Sequence, residues 1–320
     1  MPAPVPITAW HWAGFILVIL LLVALDLGVF HRFARVVKLR EALLWTSVWI
    51  MLALLFARGL AHWRGQEESL QFLTGYLVEF SLSMDNVFAI AVIFSSFGVS
   101  GAHQYRVLYW GIAGALLMRG LMIGVGAALL QTFQWVSLAV GAFLVLTGIQ
   151  WAFSRQPVVR SGENLLVRLA RKAFPISPGF EGDHFLTWIG ARRALTPLAL
   201  VLLAVETTDL LFAVDSIPAI FAVTQNAFIV FTSNIFAILG LRSLYFVLAG
   251  AIAYFRYLRT GLAIILVFIG LKMLLARWHS IPTIISLAVV LAILALSIGS
   301  SIVAARFGKP AMTKKNGTRD

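Results

Sequence analysis

Nine apolar runs dominate the chain, at about 12–30, 42–61, 70–97, 107–130, 134–153, 194–223, 227–253, 258–276 and 281–304. Each is long enough to cross roughly 30 Å of hydrocarbon. With 61% hydrophobic and 12% charged residues, the chain lies well outside the average for soluble domains. The expected fold class is an all-α polytopic membrane protein with about nine transmembrane helices. The first run has no basic segment before it and no small-residue cleavage site, so it is expected to remain as the first helix.

The charges between the runs are sorted by side. Segments 31–41, 98–106, 154–193, 254–260 and 305–320 hold nineteen Lys or Arg, against three in the opposite loops, Arg58, Arg64 and Arg277. The positive-inside rule then places the N terminus outside and the C terminus in the cytoplasm, consistent with an odd number of spans. This sorting accounts for the net charge of +12 without nucleic acid. Cysteine is absent, which excludes disulfides, thiolate metal sites and thiol redox chemistry.

The chain also repeats itself. Residues 85–90, DNVFAI, and 209–214, DLLFAV, both fit D-x-x-F-A-[IV], and GIAGALLMR ending at Arg119 answers NIFAILGLR ending at Arg242. Further along, LVLTGIQ (144–150) answers LVFIGLK (266–272). The expected organisation is two N-terminal helices in 1–69, repeat 1 of three helices in 70–153, a cytoplasmic linker in 154–193, repeat 2 of three helices in 194–277, and a C-terminal helix with a cytoplasmic tail in 278–320. By the charge bias the two repeats are inverted relative to one another, an arrangement that transporters use to build a midplane site. Within the linker, ENLLVRLARKAF has the spacing of a short amphipathic helix, although a plain connection fits nearly as well.

Six acids fall inside the runs: Asp26, Glu79, Asp85, Glu206, Asp209 and Asp215. Three cations accompany them, Arg119, Arg242 and Lys272. Intramembrane charge is costly unless paired or used, and three cations cannot neutralise six carboxylates. One reading pairs Asp85 with Arg119 and Asp209 with Arg242 as helix fasteners. A second is a proton relay, and the favoured third is a cation site. Its oxygen donors suit manganese, calcium or magnesium better than copper or zinc, and all six histidines lie in loops or at span ends.

Glu206 and Asp209 share a helical face, whereas Glu79 to Asp85 and Asp209 to Asp215 are six residues apart, roughly 120° around a regular helix. A single shared site therefore predicts broken helices at 81–86 and 215–218, where Ser81, Ser83 and Pro218 offer the means.

FLTGYLVEFSLSMDNVFAIAVIF (72–94), VETTDLLFAVDSIPAIFAVT (205–224) and TSNIFAILGLRSLYFVL (232–248) resemble the TerC family, including its Alx-type members, within the LysE-like transporter group. The resemblance implies manganese export, with links to metal homeostasis, alkaline response and tellurite resistance. It implies Glu79, Asp85, Asn86, Glu206, Asp209 and Asp215 as metal-binding residues, with Asp26 a possible addition. Arg119, Arg242 and Lys272 are expected to compensate the carboxylates when no ion is bound. Phe80 and Gln150 stand where family members often carry Lys.

The expected function is secondary export of a divalent cation, Mn2+ first and Ca2+ second, by alternating access, with proton binding to the acids as coupling and no permanently bound cofactor. Its partners are the ion and the lipid bilayer, and its place is the bacterial inner membrane. The alternative is a non-transporting membrane scaffold that assists protein insertion or assembly. An enzyme is not expected: neither G-x-x-x-x-G-K-[ST] nor HExxH occurs.

Overall fold

The computed structural model describes residues 7–30, 39–153, 165–190, 192–248, 257–276, 278 and 281–307. Its elements, in order, are α1 (Ala9–Phe30), α2 (Leu39–Trp63), α3 (Gln66–Phe97), α4 (Gly101–Thr132), α5 (Gln134–Phe153), α6 (Leu165–Ala173), β1 (Leu186–Ile189), β2 (Arg192–Leu195), α7 (Pro197–Phe221), α8 (Ala227–Leu248), α9 (Leu258–Leu275) and α10 (Thr283–Phe307). Each of the nine apolar runs coincides with a helix. Seven of them, α2 to α5, α7, α9 and α10, are long and apolar enough to cross a membrane. Among the described residues α1 and α8 carry shorter apolar stretches, Ala9–Leu22 and Ala227–Leu241.

Helix ends follow local chemistry. Thr196 caps α7 by accepting the Ala199 N–H at 3.3 Å, with Pro197 at the first helical position. α3 stops at Gly98, whose φ of 63° is left-handed.

Small residues set the packing. A Cβ on Gly75 of α3 would lie 3.3 Å from the Ser233 Cβ of α8, and Gly240 of α8 lies against Phe80 of α3, so the two helices run in the same direction. α4 and α7 also run together, with Gly111 against Val205 and Gly126 against Phe221. α5 and α9 run oppositely and almost touch: a Cβ on Gly148 would sit 2.7 Å from the Ala263 carbonyl, and one on Gly270 2.7 Å from the Gly141 carbonyl. These contacts enclose the middle of the molecule between α3, α4, α7 and α8. Large side chains on the outward faces of the helices, such as Leu17, Leu55, Leu117, Leu146 and Leu296, stay exposed, as lipid contact requires.

The helix breaks expected at 81–86 and 215–218 do not occur: α3 and α7 are continuous α-helix through both segments. The Ser81 hydroxyl bonds back to the Leu77 carbonyl at 2.6 Å, and Ser83 donates to the Glu79 carboxylate at 3.3 Å, so both hydroxyls are satisfied within the helix. Pro218 falls in the last turn of α7, where one missing N–H donor leaves little helix to disrupt.

The linker holds more than the short helix expected of it. α6 matches the amphipathic segment and buries Val167, while β1 and β2 form a hairpin with Leu186 opposite Leu195. Gly190, at φ 60°, begins its turn. The segment is clamped to the start of α4, where Arg106 pairs with Asp183 at 3.4 Å and the Gly182 carbonyl bonds His103 at 2.9 Å. It therefore packs against the same end of the bundle as the first turns of α4 and α7.

Candidate metal site and ion-pair centre

On α3, Glu79, Ser83, Asn86 and Ile90 are spaced by four, three and four residues, which puts them on one stripe of the helix. Arg119 of α4 faces this stripe and is fully buried, as is Glu79. Its Nη1 donates to Glu79, its Nη2 donates to Asp209 of α7 at 2.9 Å, and its Nε donates to the second Asp209 oxygen at 3.2 Å. Asn86 adds its Nδ2 to Asp209 at 3.2 Å. Three helices are thus joined by one guanidinium held between two carboxylates. Removing one member of such a buried set leaves an uncompensated charge, at a cost of about 3–5 kcal/mol.

A cavity of ≈ 40 Å³ adjoins this centre, lined by Glu206 and Asp209 of α7, Ile90 of α3, Leu108 and Ala115 of α4, and Ile238 and Leu241 of α8. That volume exceeds the roughly 10–15 Å³ one water needs. A Cβ at Gly114 would collide with the Glu206 carboxylate, so only glycine leaves that carboxylate its place. Glu206 Oε2, Glu79 Oε2 and Asn86 Oδ1 are buried acceptors without a hydrogen-bond partner among the described residues. The cavity lies toward the end where α3 and α8 finish and α4 and α7 begin, which is the end the charge bias assigns to the cytoplasm. Arg119 bonds the Asp209 carboxylate that lines the cavity.

The remaining expected ligands are not gathered here. Asp85 and Asp215 are half-buried on continuous helices, six residues from Glu79 and Asp209, and so lie on other faces. The charge that reaches Asp85 is that of Arg259, in the first turn of α9. Among the described residues no group of three His, Cys, Asp or Glu comes close enough to hold a metal ion. The alternative reading that pairs Asp85 with Arg119 as a helix fastener gives way to Arg119 with Glu79 and Asp209. The side chains of Arg242 and Asp26 lie outside the described residues. Lys272 is near Glu67, at the opposite end of α3 from the cavity.

Both sequence departures also sit apart from the ion pairs. Phe80 stacks on Tyr76 at 5.7 Å and fills the contact with Gly240, and Gln150 is exposed. The sequence reads Ser83 as a helix breaker, not as a partner of Glu79, and gives no signal that Arg259 faces Asp85. Ser83 lies four residues after Glu79, a spacing that foretells the contact; Arg259 had been counted with the cytoplasmic loop.

All of the centre falls within residues 64–309, which match the Integral membrane protein TerC family. The chain belongs to the TerC family. This TerC protein is 50% identical over 295 residues to the membrane protein STKORF319 of Myxococcus xanthus, covering 92% of each chain. It is 43% identical over 295 residues to Alx of Escherichia coli (strain K12), by name a candidate membrane-bound redox modulator, covering 89% of this chain and 92% of that one. Its identity to Alx of Salmonella typhi is 44% over 296 residues. No solved structure matches the chain. The family and the seven apolar helices make it an integral multi-pass membrane protein.

Proposed function

We infer that this TerC protein is a secondary transporter, not an enzyme, and that it exports a divalent cation, Mn2+ first, across the bacterial inner membrane. The observation that carries this reading is the buried Arg119 held between Glu79 and Asp209 at the edge of a cavity bearing an unpartnered Glu206 oxygen. A guanidinium between two carboxylates is an internal cation where a transported one would bind. If Arg119 withdraws, Glu79, Asp209, Asn86 and Glu206 offer oxygen donors of the kind that hard divalent ions prefer.

The helix pairing supports two inverted three-helix units, α3 to α5 and α7 to α9. A two-fold relation between them requires that α3 against α8 repeat as α7 against α4, and that α5 meet α9 across the axis. On this reading nine helices span the membrane, with the N terminus outside and the C terminus in the cytoplasm. Arg119 and its repeat counterpart Arg242 compensate the acids between cargoes. The redox wording in the name of Alx has no thiol to act through here, since the chain lacks cysteine.

The test is metal uptake into inverted vesicles, with Mn2+, Ca2+ and Mg2+ offered separately and pH imposed across the membrane. Wild type accumulates Mn2+, whereas Glu206→Ala and Asp209→Ala, which change the two acids lining the cavity, lose most uptake at normal expression. Undiminished uptake in both variants sinks the site assignment. No uptake of any ion by wild type favours a scaffold role instead.

A further inference from the structure

Asn234 of α8 is fully buried, and neither its Oδ1 nor its Nδ2 has a hydrogen-bond partner among the described residues. Each unmet amide group keeps its desolvation penalty, whereas a leucine of similar volume would carry none. An amide kept there at that cost calls for something to bind. Asn86, by contrast, has its Nδ2 engaged by Asp209 and lacks a partner only at Oδ1.

The position of Asn234 says what that something is. Asn234, Ile238 and Leu241 are spaced by four and three residues and so share one face of α8, and the latter two line the cavity. Gly120 of α4 lies against Phe231 of α8, which sets the turn running from Phe231 to Asn234 beside the turn that bears Arg119. Asn234 therefore stands on the cavity-lining face of α8, one turn before Ile238 and beside the turn of α4 that bears Arg119. The unpartnered acceptors there are oxygens: Glu79 Oε2 and Asn86 Oδ1 on α3, Glu206 Oε2 on α7 and Asn234 Oδ1 on α8. Carboxylate and amide oxygens in this mixture are the donor set of hard divalent cations.

The geometry points to Asn234 as a ligand of the translocated divalent cation, its Oδ1 completing a coordination shell with Asp209 and Asn86 once Arg119 withdraws, while its Nδ2 donates to a carboxylate. This rests on the transport reading above. It adds a neutral donor from the second repeat and makes the shell span three helices.

Full-length protein reconstituted in liposomes with an interior Mn2+-quenched dye tests it, using wild type, Asn234→Leu and Asn234→Asp. Loss of one donor raises the half-saturating Mn2+ concentration of Asn234→Leu by about tenfold. Asn234→Asp keeps an oxygen there and transports, but its added charge changes the Mn2+ to Ca2+ preference by about threefold or more. The second readout holds even if the leucine variant fails to fold. Half-saturation of Asn234→Leu within about twofold of wild type, or an unchanged preference in Asn234→Asp, overturns the assignment while transport itself stands. Absence of transport by wild type removes the transport reading and this ligand together.

Discussion

Arg119 is the residue on which the centre turns, because its guanidinium is the only group in contact with Glu79 and Asp209 at once among the described ion pairs. Arg119→Leu should leave two buried carboxylates facing each other and destabilise the protein by about 3–5 kcal/mol, read as a lower unfolding temperature in detergent. Adding Glu79→Gln and Asp209→Asn to that variant should restore much of the loss, since neutral amides need no counter-charge. No recovery would mean that packing of the arginine stem, and not charge, is what holds the helices. The acids themselves were legible in the sequence, because a carboxylate within an apolar run stands out at once. Their pairing was not. The similar spacing of Asp85 to Arg119 and Asp209 to Arg242, 34 and 33 residues, suggests partners within each repeat, but spacing along a chain carries no information about which helices face one another.

At the scale of elements, two features decide the geometry: continuous helices and the glycines between them. Continuity was misread in the sequence because serines and a proline in a membrane segment signal interruption. Here the hydroxyls bond back to the preceding turn and the proline falls at a helix end. Consequently Asp85 stays off the α3 face that carries Glu79, and Asp215 off the α7 face that carries Asp209. The glycines set how close α4 and α7 come. Gly114→Ala would drive a methyl into the Glu206 carboxylate and push it from the cavity, so transport by this variant should fall about tenfold or more with the fold retained. Gly124→Ala on the same helix is the control, since nothing lies within 4 Å of the added atom. Equal rates for the two variants would show that the position of Glu206 does not matter to the ion.

At the scale of the whole molecule, the proposed orientation rests on charge alone, nineteen cations against three in alternate loops. The pairing of α3 with α8 and of α4 with α7 could not be read the same way, since it depends on surfaces and not on order. If the two three-helix units exchange access by moving against one another, the α3 to α8 contact lies between the moving parts. The absence of cysteine makes this directly testable. A Cβ on Gly75 would lie 3.3 Å from the Ser233 Cβ, close to the separation of roughly 3.5–4.5 Å that a disulfide spans. The double variant Gly75→Cys with Ser233→Cys should therefore cross-link under mild oxidant. Oxidised protein in liposomes should transport Mn2+ at a small fraction of the reduced rate, and reductant should return it, because a bond at this contact holds one unit fixed on the other. Full transport by fully cross-linked protein would mean that α3 and α8 travel as one body, and that the motion opening the cavity takes place across α4 and α7 instead.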